Sequence, residues 1–114
     1  MFIMQDIMQK VVVKNLTNDI ITNIKLTHDG EWNGNHKEVI KKLKSNESRE
    51  VSLYTQKVNN RCNLILTYTY KDISNTVVAY DKLSGKDLRL ITLEIKEIDE
   101  KIVVNTTLNN ELWT

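Results

Sequence analysis

From Val11 to Thr107, short alternating apolar runs restart about every 12 residues, with polar turn clusters between them. This rhythm predicts strands, because successive side chains of a strand point to opposite faces of its sheet. The chain contains no proline, and none of its three glycines falls inside a predicted strand. Nothing therefore interrupts the hydrogen-bonded ladders. The chain reads as all-β.

The runs differ in clarity. Segment 11–16, VVVKNL, is β-branched and meets a polar cluster, Thr17-Asn18-Asp19. In 20–27, Ile20, Ile24 and Leu26 share one face and Asn23 and Lys25 the other, so the two segments are expected to form an antiparallel hairpin. Segment 38–44, EVIKKLK, fits two descriptions. As a strand it groups Val39 with Leu43; as a helix it groups Val39, Ile40 and Leu43 and pairs Glu38 with Lys42. The Ser-Asn-Glu-Ser turn that follows favours a strand in a meander, and its lysines suit a sheet edge.

Later runs are sharper. Val51 and Leu53 alternate with polar neighbours, and Leu64, Leu66, Tyr68 and Tyr70 alternate with Ile65, Thr67 and Thr69. Val77, Val78 and Tyr80 form the next run. In 87–98 the apolar set is even-numbered at Leu88 and Leu90, then odd at Ile91, Leu93 and Ile95. That change of phase predicts a β-bulge, or a strand buried on both faces. A last strand over 101–107 points Ile102 and Val104 inward.

Length and charge bound the rest. At 114 residues, 40% apolar and 27% charged, the chain makes one domain with enough surface to bury a core. Sixteen basic against 15 acidic residues leave a net charge of +1, which argues against nucleic acid as a partner. A single cysteine, Cys62, excludes an intramolecular disulfide. The start, MFIMQDIMQK, lacks the basic region and long apolar core of a signal peptide, and no run approaches the roughly 18 apolar residues of a membrane span. A cytoplasmic protein is expected, with leaderless secretion as the other route. Seven or eight antiparallel strands cannot bury their apolar faces in one open sheet, so a two-layer β-sandwich follows. It is expected over 10–107. Residues 1–9 form an N-terminal extension that adds to a sheet edge or packs on another subunit, and 108–114 form a C-terminal tail.

The phrases VVVKNLTNDIITNIKLT, LKSNESREVSL and LSGKDLRLITLEI resemble the first hairpin, middle strand and late strands of bacterial immunoglobulin-like domains. The resemblance implies an immunoglobulin-like sandwich, without the Cys…Trp…Cys core of true immunoglobulin domains. Small size, the missing leader and the opening hairpin are also similar to aegerolysins, small β-sandwich proteins that bind membrane lipids. Their aromatic, cysteine-containing late segment has no counterpart here.

Polar chemistry, an aromatic ring and glycines converge in one stretch, 28–36, HDGEWNGNH. Its candidate binding residues are His28, Asp29, Glu31, Trp32, Asn33 and His36. Long loops on a rigid scaffold are where binding groups concentrate. Trp32 offers a flat apolar face to a protein, sugar or lipid headgroup; alternatively it folds back to cap the sandwich, with its polar neighbours as turn formers. His28 and His36 with Asp29 or Glu31 fall short of zinc-site spacing. Asp29, Glu31, Asn33 and Gly34 mimic the start of a calcium loop, but Ile40 stands where the bidentate glutamate belongs. Neither metal nor other cofactor is expected. Cys62 enters a strand beside Leu64 and Leu66 and reads as a small core residue rather than a nucleophile. Glu94, Glu97, Asp99 and Glu100 read as a hydrated face and turn. Lys37, Lys41, Lys42 and Lys44 form a basic counterpart, either solvated or a patch for self-association. Together these readings predict a non-enzymatic interaction module that binds a protein first, possible self-association included, with a lipid- or carbohydrate-binding protein as the alternative.

Overall fold

The computed structural model describes residues 9–30, 37–53, 61–84 and 89–109. They form β1 (Gln9–Asn15), β2 (Ile21–His28), β3 (Glu38–Leu43), β4 (Ser48–Leu53), β5 (Cys62–Tyr70), β6 (Ile73–Leu83), β7 (Leu90–Ile98) and β8 (Lys101–Asn109). Two four-stranded sheets, ordered β4-β1-β7-β8 and β3-β2-β5-β6, enclose one core. The all-β two-layer sandwich is thus the fold. Among the described residues no helix is long and apolar enough to cross a membrane.

The alternation that predicts the strands also builds the core. β5 buries Cys62, Leu64, Leu66, Tyr68 and Tyr70 and leaves the residues between them half-exposed. Val11 and Val13 of β1 and Ile91, Leu93 and Ile95 of β7 meet them from the other sheet. Each buried aliphatic side chain contributes about 1.5–3 kcal/mol. β3 is a strand at the edge of its sheet, as its lysines suggest.

The expected hairpin of 11–16 with 20–27 does not form. β1 and β2 lie in different sheets, and β1 pairs antiparallel with β4 and parallel with β7, Val11 beside Ile91. β3 and β4 likewise part into opposite sheets instead of running on as a meander. A short link can join neighbours in one sheet or turn a corner between layers. Here both links turn corners, held by the Asn15 side chain described below. True hairpins occur at β5–β6 and β7–β8, whose turn residues Lys71 (φ 49°), Asp72 (64°), Asp99 (52°) and Glu100 (65°) are all left-handed. Paired positive φ values make turns whose twist matches that of the strands.

The change of phase at Leu90–Ile91 marks no bulge; a register slip occurs elsewhere. β7 begins at Leu90 and keeps an unbroken register with β8, so no bulge sits at Leu90–Ile91; Leu88 falls outside the described residues. The slip is in β2, where Ile21 and Ile24 are both buried and the register with β5 shifts between Thr22 and Lys25. Asn23 sits in that interval at φ 50°, a conformation asparagine tolerates better than most residues. β3 repeats the spacing: Leu43 faces Ile21 and Ile40 faces Ile24, so Lys41 and Lys42 both project outward. The helix-like spacing of 38–44 is therefore the mark of a bulge shared by two strands. Ile20 (40% exposed) and Val39 (53%) consequently point out, not in.

Candidate functional site

The sandwich has two unlike ends. One holds the 16–20 and 44–47 links and both hairpin turns; at the other, β2, β4, β6 and β8 finish and β5 and β7 begin. The stretch 28–36 starts from this second end.

His28 continues the inward phase of β2 and is 2% exposed. Its Nδ1 accepts the Gly30 backbone N–H at 3.1 Å, which leaves the ring proton of a neutral imidazole on Nε2. Asp29 is exposed, and its carboxylate clasps one residue: Oδ1 accepts the Asn63 backbone N–H at 2.8 Å and Oδ2 its side-chain amide at 2.9 Å. The Asp29 N–H returns a bond to the Asn63 carbonyl at 3.2 Å. The bonds from Asn63, backbone first, hold the Asp29 carboxyl below its usual range. Gly30 lies so close to β5 that a Cβ there would stand 2.8 Å from Cys62 Sγ and 3.2 Å from His28 Nδ1. Burial pushes the Cys62 thiol up, and the Asp29 charge adds to the effect, so the thiol is held protonated.

Of the six candidate residues, Asp29 clamps the start of β5, and His28 beside it is buried and accepts the Gly30 N–H. Glu31, Trp32, Asn33 and His36 lie outside the described residues. Among the described residues no cluster of His, Cys, Asp or Glu could hold a metal ion. Across the core at the same end, Gln9 is fully buried. Its Nε2 donates to the carbonyls of Arg89 (2.6 Å) and Lys10 (3.0 Å), while Oε1 has no partner among the described residues.

The turn end carries a groove of about 640 Å³ between the sheets, with Tyr68, Val77 and Ile102 among its apolar walls and Lys71 and Glu100 at its rim. The Tyr70 hydroxyl donates to Glu97 Oε2 at 2.5 Å, and that bond holds the phenol above its usual range. Glu97 therefore follows the inward phase of Ile91, Leu93 and Ile95 to the mouth of the sandwich. Only Glu94 belongs to the outer face, beside Lys96 and Asn105. The two carboxylates do not form one hydrated face.

No family model matches the chain, and no curated protein matches it. Its backbone is similar to the NMR structure of a protein from Eubacterium rectale, with a TM-score of 0.63 at 19% identity over 90% of this chain and 91% of that one. At that identity the likeness speaks for the fold alone.

Residue-type reasoning missed Asn63 and Gln9. Asn63 follows Cys62 on the outward phase of β5 and looks like an ordinary polar strand residue. Gln9 precedes the apolar run VVV, and only its phase with Val11 and Val13 marks it as inward.

Proposed function

We propose that this chain is a non-enzymatic binding module that takes a protein partner through the 28–36 end of the sandwich, with Trp32 at the centre of the contact. The observation that carries the reading is the clamp at the root of that stretch. Three hydrogen bonds between Asp29 and Asn63, with Gly30 pressed against Cys62, give a polar and aromatic segment a rigid stem. Binding groups placed on such a stem lose less entropy when they meet a partner. The raised Cys62 thiol speaks against nucleophilic chemistry at the same place. An immunoglobulin-like kinship and a cytoplasmic setting belong to the same reading.

The test is crosslinking of the full chain in an extract of its own cells, wild type against Trp32→Ala. The reading expects a discrete protein adduct that the variant loses at an unchanged urea midpoint. Co-sedimentation with liposomes, or binding to a glycan array, lost on the same substitution, would replace it with the lipid- or carbohydrate-binding alternative.

A further inference from the structure

The four outer strands are not equally guarded. β3 carries Glu38, Lys41 and Lys42, and β4 carries Arg49 and Glu50. Charges on an edge keep it from pairing with other chains. β6 is broken by two register shifts between Val78 and Leu83, and the Ala79 carbonyl accepts the Thr106 hydroxyl at 2.5 Å. β8 differs from all three. It is regular over nine residues, and after Lys101 it carries no charge through Asn109. Its outer face shows Val103, 42% exposed, and its inner face half-exposes Ile102, Val104 and Leu108.

The backbone direction is set by the hairpin. The two-residue turn Asp99–Glu100 makes Ile98 and Lys101 the closing hydrogen-bonded pair, so odd-numbered residues of β8 bond to β7. The N–H and C=O groups of Ile102, Val104, Thr106 and Leu108 therefore point away from β7, to a side on which no described strand pairs. We infer that β8 is a self-pairing edge: two copies of this chain join antiparallel about a two-fold axis at Asn105, extending the β4-β1-β7-β8 sheet across both molecules. This register overlaps the whole strand and sets outward-pointing residues opposite one another, Ile102 facing Leu108 and Val104 facing Thr106 of the other copy. Inner side chains meet inner and outer meet outer, with Val103 opposite Thr107. The only charged residue, Lys101, faces Asn109, and the two Lys101 side chains sit at opposite ends of the seam. A second copy is thus the occupant whose pattern and charge fit the edge along its full length.

Asn105 gives a clean test, because it is exposed and stands opposite Glu94 within its own sheet. Asn105→Lys gains a cross-strand carboxylate in the monomer but brings two like charges together on the axis. Sedimentation velocity of the full chain, from low to high micromolar concentration, should show a monomer–dimer equilibrium whose dissociation constant rises at least tenfold in Asn105→Lys. In a Cys62→Ala background, Asn105→Cys should oxidise to a covalent dimer, since the axial pair lacks mutual hydrogen bonds and brings its Cα atoms close enough for a disulfide. A chain monomeric at every concentration, a dimer indifferent to Asn105→Lys, or a dimer that Asn105→Cys fails to link would overturn the inference. So would a monomer that instead accepts an unrelated extended peptide along β8.

Discussion

At the turn end Asn15 is fully buried, and every hydrogen-bonding position of its amide is used: Nδ2 donates to the Leu43 and Asp19 carbonyls at 2.8 Å each, and Oδ1 accepts the Thr17 N–H at 2.9 Å and its hydroxyl at 2.6 Å. At the loop end Gln9 is buried as deeply on the same strand, yet its Oε1 has no partner among the described residues. The Asn15 network also receives Ser45, whose hydroxyl donates to the Thr17 carbonyl, and the Asn46 N–H, which bonds the Asn15 carbonyl. It therefore ties both corner links to the same point. The loop end is braced locally, by Asp29 on Asn63. One end is closed for stability; the other is where a recognition surface costs the fold least.

The sharpest way to break this contrast is to truncate the two amides. Asn15→Ala takes their amide partner from the Thr17 N–H and the Leu43 carbonyl, while the Thr17 hydroxyl and the Asp19 carbonyl keep each other at 3.0 Å, and should cost about 3 kcal/mol by urea unfolding. Gln9→Met fills similar volume and removes the orphan oxygen but forfeits the Nε2 bonds to the Arg89 and Lys10 carbonyls, so it should cost less, about 1–2 kcal/mol. Equal costs would show that the ends are alike.

Gly30→Ala tests the clamp with a smaller expected effect, about 1–3 kcal/mol, because its Cβ meets Cys62 Sγ. Combining it with Cys62→Ala should cost less than the sum of the two single changes in a double-mutant cycle. Additive costs would mean that the close approach is not the source of the strain.

The smallest effect concerns pH. Because Asn63 depresses the Asp29 pKa in the folded chain, the clamp's contribution is present above the unfolded pKa of about 3.9 and is lost as pH falls through the folded value. The stability gap between wild type and Asp29→Asn should therefore narrow on acidification. Solvent around this exposed carboxylate keeps the change small. A gap that widened as pH fell would contradict the assignment.

Much of this architecture is legible in the residues. β5 and β7 announce themselves, because inward and outward positions differ at every step. The corner at Asn15 is not legible, since a short polar link after VVVKNL suits a hairpin equally well. The choice between them depends on β7, far along the chain, taking the place beside β1. The slip in β2 is written in Ile21 and Ile24, three apart, but Ile20 fits the even-numbered period of Ile24 and Leu26 and masks it. Glu97 shows the converse. Its odd number, in phase with Ile95, places it inward, whereas its charge suggests an outer face. At the candidate site, the 28–36 stretch stood out by composition. The bracing role of Asp29 depends on Asn63, and the close fit of Gly30 on Cys62, which only the β2–β5 pairing brings near.

The recognition reading turns on Trp32. In a Trp113→Phe variant, Trp32 is the only tryptophan, and its fluorescence reports its surroundings directly. A contact residue should emit at the red, water-exposed limit and be quenched by acrylamide nearly as freely as in the urea-unfolded chain. A blue-shifted, protected emission would place Trp32 inside the sandwich as a cap and contradict the account.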